Sequence, residues 1–166
     1  MKNYKKITVL FVFTCILAAC TSVPPAVEDD YYENVSQLNS IVQFDDVMDK
    51  DWFLTERRTG SETIAIDRDR LATDGFAEPF SLRFDAELVS GAGAPNSYRA
   101  PYTLGDNQGI SIGLIAGTLM APIFEPDGLK EHEYFALLQD VTRWNLAEGK
   151  LELYTGETVL VFTLPE

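Results

Sequence analysis

Leu151-Glu152-Leu153-Tyr154-Thr155-Gly156-Glu157-Thr158-Val159-Leu160-Val161-Phe162-Thr163-Leu164 is the stretch whose pattern decides the fold class. Two runs rich in apolar, β-branched and aromatic residues flank Thr155-Gly156-Glu157, a turn-forming triplet, and so predict a β-hairpin. In the second run Leu160, Phe162 and Leu164 recur with period two and share one face. Just upstream, Thr142-Arg143-Trp144-Asn145-Leu146 ends at Glu148-Gly149, which predicts a further strand joined by a short turn.

Working back from there, one helix interrupts the β pattern. Between Gly128 and about Val141, Phe135, Leu137, Leu138 and Val141 recur at helical spacing. Asp127 is placed to cap its start, and Glu131 and Glu133 suit the positive end of the helix dipole. Earlier still, Phe80, Leu82 and Phe84 alternate with Ser81 and Arg83, as in a half-buried strand, and Glu87 to Ser90 extends or follows it. Gly91-Ala92-Gly93-Ala94-Pro95-Asn96 reads as a loop. Tyr98 to Leu104 and Gly109 to Met120 are strand candidates, the latter bent at Gly113 and Gly117. Asp51-Trp52-Phe53-Leu54-Thr55-Glu56 is the candidate first strand. The fold class is mainly β, with antiparallel strands, short turns and one packed helix. About 120 residues from near Val47 make one domain, placed at 47–166.

The N-terminus predicts an address. Lys2, Lys5 and Lys6 precede the apolar run Ile7 to Ala19, which is too short to span a bilayer. Leu17-Ala18-Ala19-Cys20 matches the bacterial lipobox, which implies a signal peptide over 1–19. It also implies diacylglyceryl attachment to the Cys20 sulfur and acylation of the freed amine. Two or more acyl chains anchor a protein stably where one does not. Residues 20–46, rich in Pro, Ser, Asn and acids, read as the lipidated N-terminus and a flexible acidic tether. Thr21 after the lipidated cysteine favours the outer membrane, facing the periplasm. Cys15 leaves with the leader, so the mature chain can form no internal disulfide.

The chain carries 13 basic and 26 acidic residues. Without Lys2, Lys5 and Lys6 the balance is 10 against 26, a net charge near −16. Such a surface repels nucleic acid, which is not an expected partner. His132 is the only histidine, no Gly-x-Ser-x-Gly elbow accompanies it, and no catalytic residues are assigned. Asp45, Asp46, Asp49 and Asp51 lack the spacing of a calcium loop, so no metal site is assigned, and no cofactor is expected. Asp67 and Asp69 alternate with Arg68 and Arg70 as self-compensating charge. Trp52, Phe80, Phe84, Tyr98, Tyr102, Phe124, Phe135, Trp144 and Phe162 read as core, or as the lining of a ligand cavity. Tyr98, Arg99 and Tyr102 form an aromatic and basic patch beside a loop, the first candidate for a partner contact.

The order of these segments resembles the META domain, the family of the heat-shock protein HslJ. The resemblance runs from Met48 to Leu164. It is carried by Trp52-Phe53-Leu54, Gly93-Ala94-Pro95-Asn96-Ser97-Tyr98 and Ala116-Gly117-Thr118-Leu119-Met120-Ala121-Pro122. The helix Glu131 to Leu138 and the ending Trp144-Asn145-Leu146 to Phe162 complete it. It implies a small antiparallel barrel-like domain with one packed α-helix, an envelope location and an association with stress tolerance, but no catalytic mechanism. Many relatives carry cysteines where Pro95 and Pro122 stand, so any redox or metal role of that pair does not carry over. Three functions follow as expectations. The first is a non-catalytic envelope lipoprotein that contacts another envelope protein or supports stress tolerance. The second is a carrier of a small apolar ligand inside the barrel, and a hydrolase comes last.

Overall fold

The computed structural model describes residues 42–73, 78–121 and 125–165. Cys20, the leader, most of the tether, Pro122 and Phe124 lie outside them. Among the described residues ten strands form one antiparallel sheet: β1 (Trp52–Thr59), β2 (Glu62–Ala65), β3 (Ser81–Phe84), β4 (Leu88–Ala92), β5 (Ser97–Leu104), β6 (Ile110–Ile112), β7 (Ala116–Gly117), β8 (Arg143–Ala147), β9 (Lys150–Thr155) and β10 (Thr158–Thr163). Two α-helices accompany them among the same residues, α1 (Arg68–Thr73) and α2 (Glu131–Gln139).

The predicted hairpin is β9–β10, with Leu153 opposite Leu160 and Leu151 opposite Phe162. Neighbouring strands follow the order β6-β5-β4-β3-β1-β10-β9-β8. The two ends of this order meet, because Gly109 bridges Arg143, Ile110 N–H donates to Thr142 C=O at 3.2 Å and Trp144 N–H donates to Gln108 C=O at 3.0 Å. The sheet is therefore a nearly closed barrel, which leaves few free edges. β1 is long enough to pair β3 with its first half and β2 with its second, and a register shift between Leu54 and Glu56 turns it between the two. β2 and α1 are elements that the hydrophobic pattern does not reveal, since Glu62-Thr63-Ile64-Ala65 is mostly exposed and α1 buries only Leu71.

Aromatic side chains plug the barrel at both ends. At one end Phe44 packs on Phe84, Tyr102 and Trp144, with ring centroids 5.1, 5.6 and 5.1 Å away. At the other, Tyr134 of α2 packs on Phe80 at 5.0 Å and Tyr98 at 6.0 Å. Between them Trp52, Leu54, Leu82, Leu153 and Phe162 are fully buried. The aromatic residues named above are thus mainly core.

Several boundaries differ from the sequence-based ones, each for a physical reason. The domain takes in Phe44, three residues before the boundary at 47, because its ring is the plug and Trp52 Nε1–H donates to Val47 C=O at 2.9 Å behind it. Gly91 and Ala92 belong to β4 and not to the loop. A Cβ at Gly91 would stand 2.0 Å from Ser81 C=O, so only glycine permits this strand approach. α2 begins at Glu131, three residues after the expected start. Asp127 does not cap it. Its backbone is left-handed (φ 48°), and its carboxylate instead accepts from Asp67 N–H at 3.0 Å and Arg70 at 2.7 Å. Glu133 closes the helix start by accepting from Lys130 N–H at 3.3 Å. Leu164 lies past β10 and is exposed, whereas Val161, on the opposite face to Leu160 and Phe162, is fully buried.

Candidate functional site

The strand period separates the three residues of the expected Tyr98, Arg99 and Tyr102 patch. Tyr98 and Tyr102 point inward from β5, while Arg99 points outward. Tyr98 is buried, with its hydroxyl donating to Ser81 C=O at 3.0 Å and 3.2 Å from the Tyr134 hydroxyl. Burial holds both phenols above their ordinary pKa range, and for Tyr134 the neighbouring Tyr98 adds to the effect. Tyr102 lies half-buried against Phe44 and Phe84, and its hydroxyl donates to Asp85 C=O at 2.6 Å. Tyr98 is withdrawn from the surface, Tyr102 is partly exposed and Arg99 is exposed.

Two arginines, Arg99 and the half-buried Arg57, make no ion pair or ring contact among the described residues. Arg58 pairs with Glu56 and Glu152, Arg70 with Asp127, and Arg83 with Asp49 and Asp51. Arg143 lies over the Tyr154 ring at 3.8 Å, and Arg68 lies over Phe53 at 5.0 Å. Arg68 is half-buried, and its guanidinium also donates to Pro79 C=O at 2.6 Å. Arg99 is exposed and makes no ion pair among the described residues. It borders a groove of about 390 Å³ with Ser90, Ser97 and Ala116, opposite Ala116 in the β5–β7 register.

On the other side of β7 lies a second groove of about 490 Å³, between the strand and α2, lined by Ile115, Gly117, Leu119, Met120 and Phe135 among others. Around it gather exposed apolar side chains, Leu114 at 83%, Leu119 at 100% and Met120 at 54%. An apolar surface beside an open edge is the feature that most departs from an ordinary solvated wall. Sequence patterning placed Gly109 to Met120 as strand but carried no sign that its second half pairs on one side alone among the described residues.

A hydrogen-bonded clasp holds this edge to the helix. Asn96 is buried, and its side-chain N–H donates to Glu131 at 2.7 Å and to Met120 C=O at 3.0 Å. Its side-chain oxygen accepts from Thr118 Oγ1 and Met120 N–H, both at 2.7 Å. The Glu131 carboxylate also accepts from Ala94 N–H at 2.7 Å and Asn96 N–H at 2.6 Å. Glu131 therefore binds the turn as well as sitting at the favourable helix end.

Elsewhere, His132 is exposed on α2. Asp46 accepts from Gln43 N–H at 3.1 Å and closes a 3₁₀ turn, while Asp49 and Asp51 face Arg83. Among the described residues no three His, Cys, Asp or Glu side chains gather as a metal would require, and no helix is long and apolar enough to cross a membrane.

Residues 45–166 match the META domain family. The chain belongs to the META domain family. No curated protein matches it. A duf4847 family protein from Bacteroides vulgatus is similar in fold, at TM-score 0.51 and 12% identity over 72% of this chain and 95% of that one. A second solved structure, determined by NMR, is similar at TM-score 0.53 and 16% identity, over 75% of this chain and 96% of that one. In this META domain the glycine-rich turn and the threonine-methionine stretch, 20 or more residues apart in sequence, lie side by side through Asn96 and Met120. Pro95 stands in that turn, half-buried, after a cis peptide bond.

Proposed function

We propose that this protein is a lipid-anchored envelope lipoprotein whose META domain is a non-catalytic docking module, serving protein interaction or envelope stress tolerance. The anchor rests on the lipobox at Leu17 to Cys20 and on the acidic segment after it. The docking role rests on one observation, the exposed apolar cluster of Leu114, Leu119 and Met120 beside the open side of β7. Burying a leucine side chain contributes about 2 kcal/mol, so three such residues left in water suit an interface more than an isolated domain.

Two measurements test the two halves separately. An alkyne-tagged fatty acid fed to cells should label the wild-type chain and not Cys20→Ser, and label on the variant would remove the anchor. A photoreactive amino acid placed at Leu119 in intact cells should give a discrete adduct that the same group at exposed Glu157 does not. Identical smears from both positions would remove the docking role.

A further inference from the structure

We infer that the β7 edge takes an extended segment of a partner protein by strand addition, and that the segment carries an acidic residue between two apolar ones. This rests on the docking role above and specifies its partner. β7 pairs with β5 on one side, and among the described residues no strand lies on its other side. The backbone N–H groups of Ile115 and Leu119, which flank β7, make no backbone hydrogen bond among the described residues. Unpaired backbone along an edge is complementary to another extended chain, which supplies matching donors and acceptors.

The side chains on the two faces of β7 then set the character of the incoming residues. Arg99 on β5 lies directly opposite Ala116 on β7, on the outer face. Strands are spaced about 4.8 Å apart, so an added strand would lie about 10 Å from β5. Alanine leaves the long arginine stem free to cross β7, and its unpaired guanidinium meets the added residue opposite Ala116. An Asp or Glu there would supply the carboxylate that Arg99 lacks and that Arg58, Arg70 and Arg83 each have. On either side of that residue the side chains turn to the other face. There Gly117 leaves the space over Phe135 open, a Cβ at Gly117 standing 3.9 Å from that ring, and Ile115 and Met120 complete an apolar floor. The overall acidity of the domain makes a free cation at this edge a selective feature, since the net charge disfavours acidic segments in general.

The test uses the full-length chain and two blocked pentapeptides, acetyl-Ser-Val-Glu-Val-Ser-amide and its lysine-centred counterpart, followed by amide chemical shifts. The glutamate peptide should move the Ile115 to Leu119 amides and bind about tenfold more tightly than the lysine peptide, with the preference reversed in Arg99→Glu. A single N-methyl group walked along the glutamate peptide should alternate between loss and retention of binding, the period of a strand edge. Arg99 has no partner to lose, so Arg99→Glu should melt with wild type. Equal affinity for both peptides, shifts elsewhere in the domain, or a dimer of the chain that itself protects these amides would overturn the inference. A Leu119 adduct in cells that is indifferent to Arg99→Glu would also overturn it while leaving docking at this edge in place.

Discussion

Asn96 is the residue on which the local architecture of this edge depends most. One side chain donates to a carboxylate and a carbonyl and accepts from a hydroxyl and an amide, all while buried. Asn96→Ala should therefore cost about 3 kcal/mol in urea unfolding, more than a typical neutral hydrogen bond, because it orphans a charged partner and a backbone amide together. Asn96→Asp keeps the shape but turns a carboxylate toward Glu131. It should be worse than alanine, through repulsion between two buried carboxylates. If the two variants unfold alike, the Glu131 contact is not what holds the turn. The buried tyrosines make a second prediction at this scale. Tyr98 and Tyr134 have raised pKa values in the fold, so their contribution is complete below the ordinary phenol range, about 10, and is lost as pH rises through it. Tyrosinate absorbance should show these two ionising only with unfolding, and Tyr98→Phe should flatten the alkaline loss of stability.

At the scale of elements, the outer wall of β1, β10 and β9 explains why Val161 is buried on the wrong face for the core. Val161 sits between Glu56 and Glu152 in register, and Arg58 bridges those two carboxylates at 2.7 and 3.2 Å, passing over β10. Lys150, Asn145 and Tyr154 extend the network. The Arg58 hydrogen bond holds the Glu56 carboxyl below its usual range. Burial alone would raise Glu152, but hydrogen bonds from Tyr154 and Asn145 and the charge of Arg58 outweigh it. Lowered carboxylate pKa values mean that this contribution is present above the ordinary carboxylate range and is lost as pH falls through it. Arg58→Ala should cost about 1 kcal/mol, a modest figure because the pair is partly solvated, with some of the loss coming from uncovered Val161. The variant should also lose less stability than wild type on acidification, and an unchanged acid limb would show that the network contributes nothing. The alternation of β10 shows Leu160 and Phe162 in the sequence, yet the burial of Val161 is illegible there, because Glu56 and Arg58 come from β1, far away in the chain.

For the whole molecule, the same distinction governs the plugs. Phe44 lies in an acidic run and reads as tether, but in the fold it fills one end of the barrel, so Phe44→Ala should lower stability by about 3 kcal/mol. A chain starting at residue 47 should melt well below one starting at residue 42, and equal melting would show that the plug is dispensable. What the sequence alone determined is the local part: the β9–β10 hairpin, the alternation of β3, the existence of α2 and the META family pattern, since period and turn chemistry act between near neighbours. What only the tertiary structure decided is what long-range pairing decides. The β6–β8 seam, the pairing of β1 with β10 and the Asn96–Glu131–Met120 clasp all join segments distant in the chain. Whether an edge is paired or open depends on where the barrel closes, and so β7 and the neighbouring Arg99 of β5 form a candidate surface only once the strands are in place.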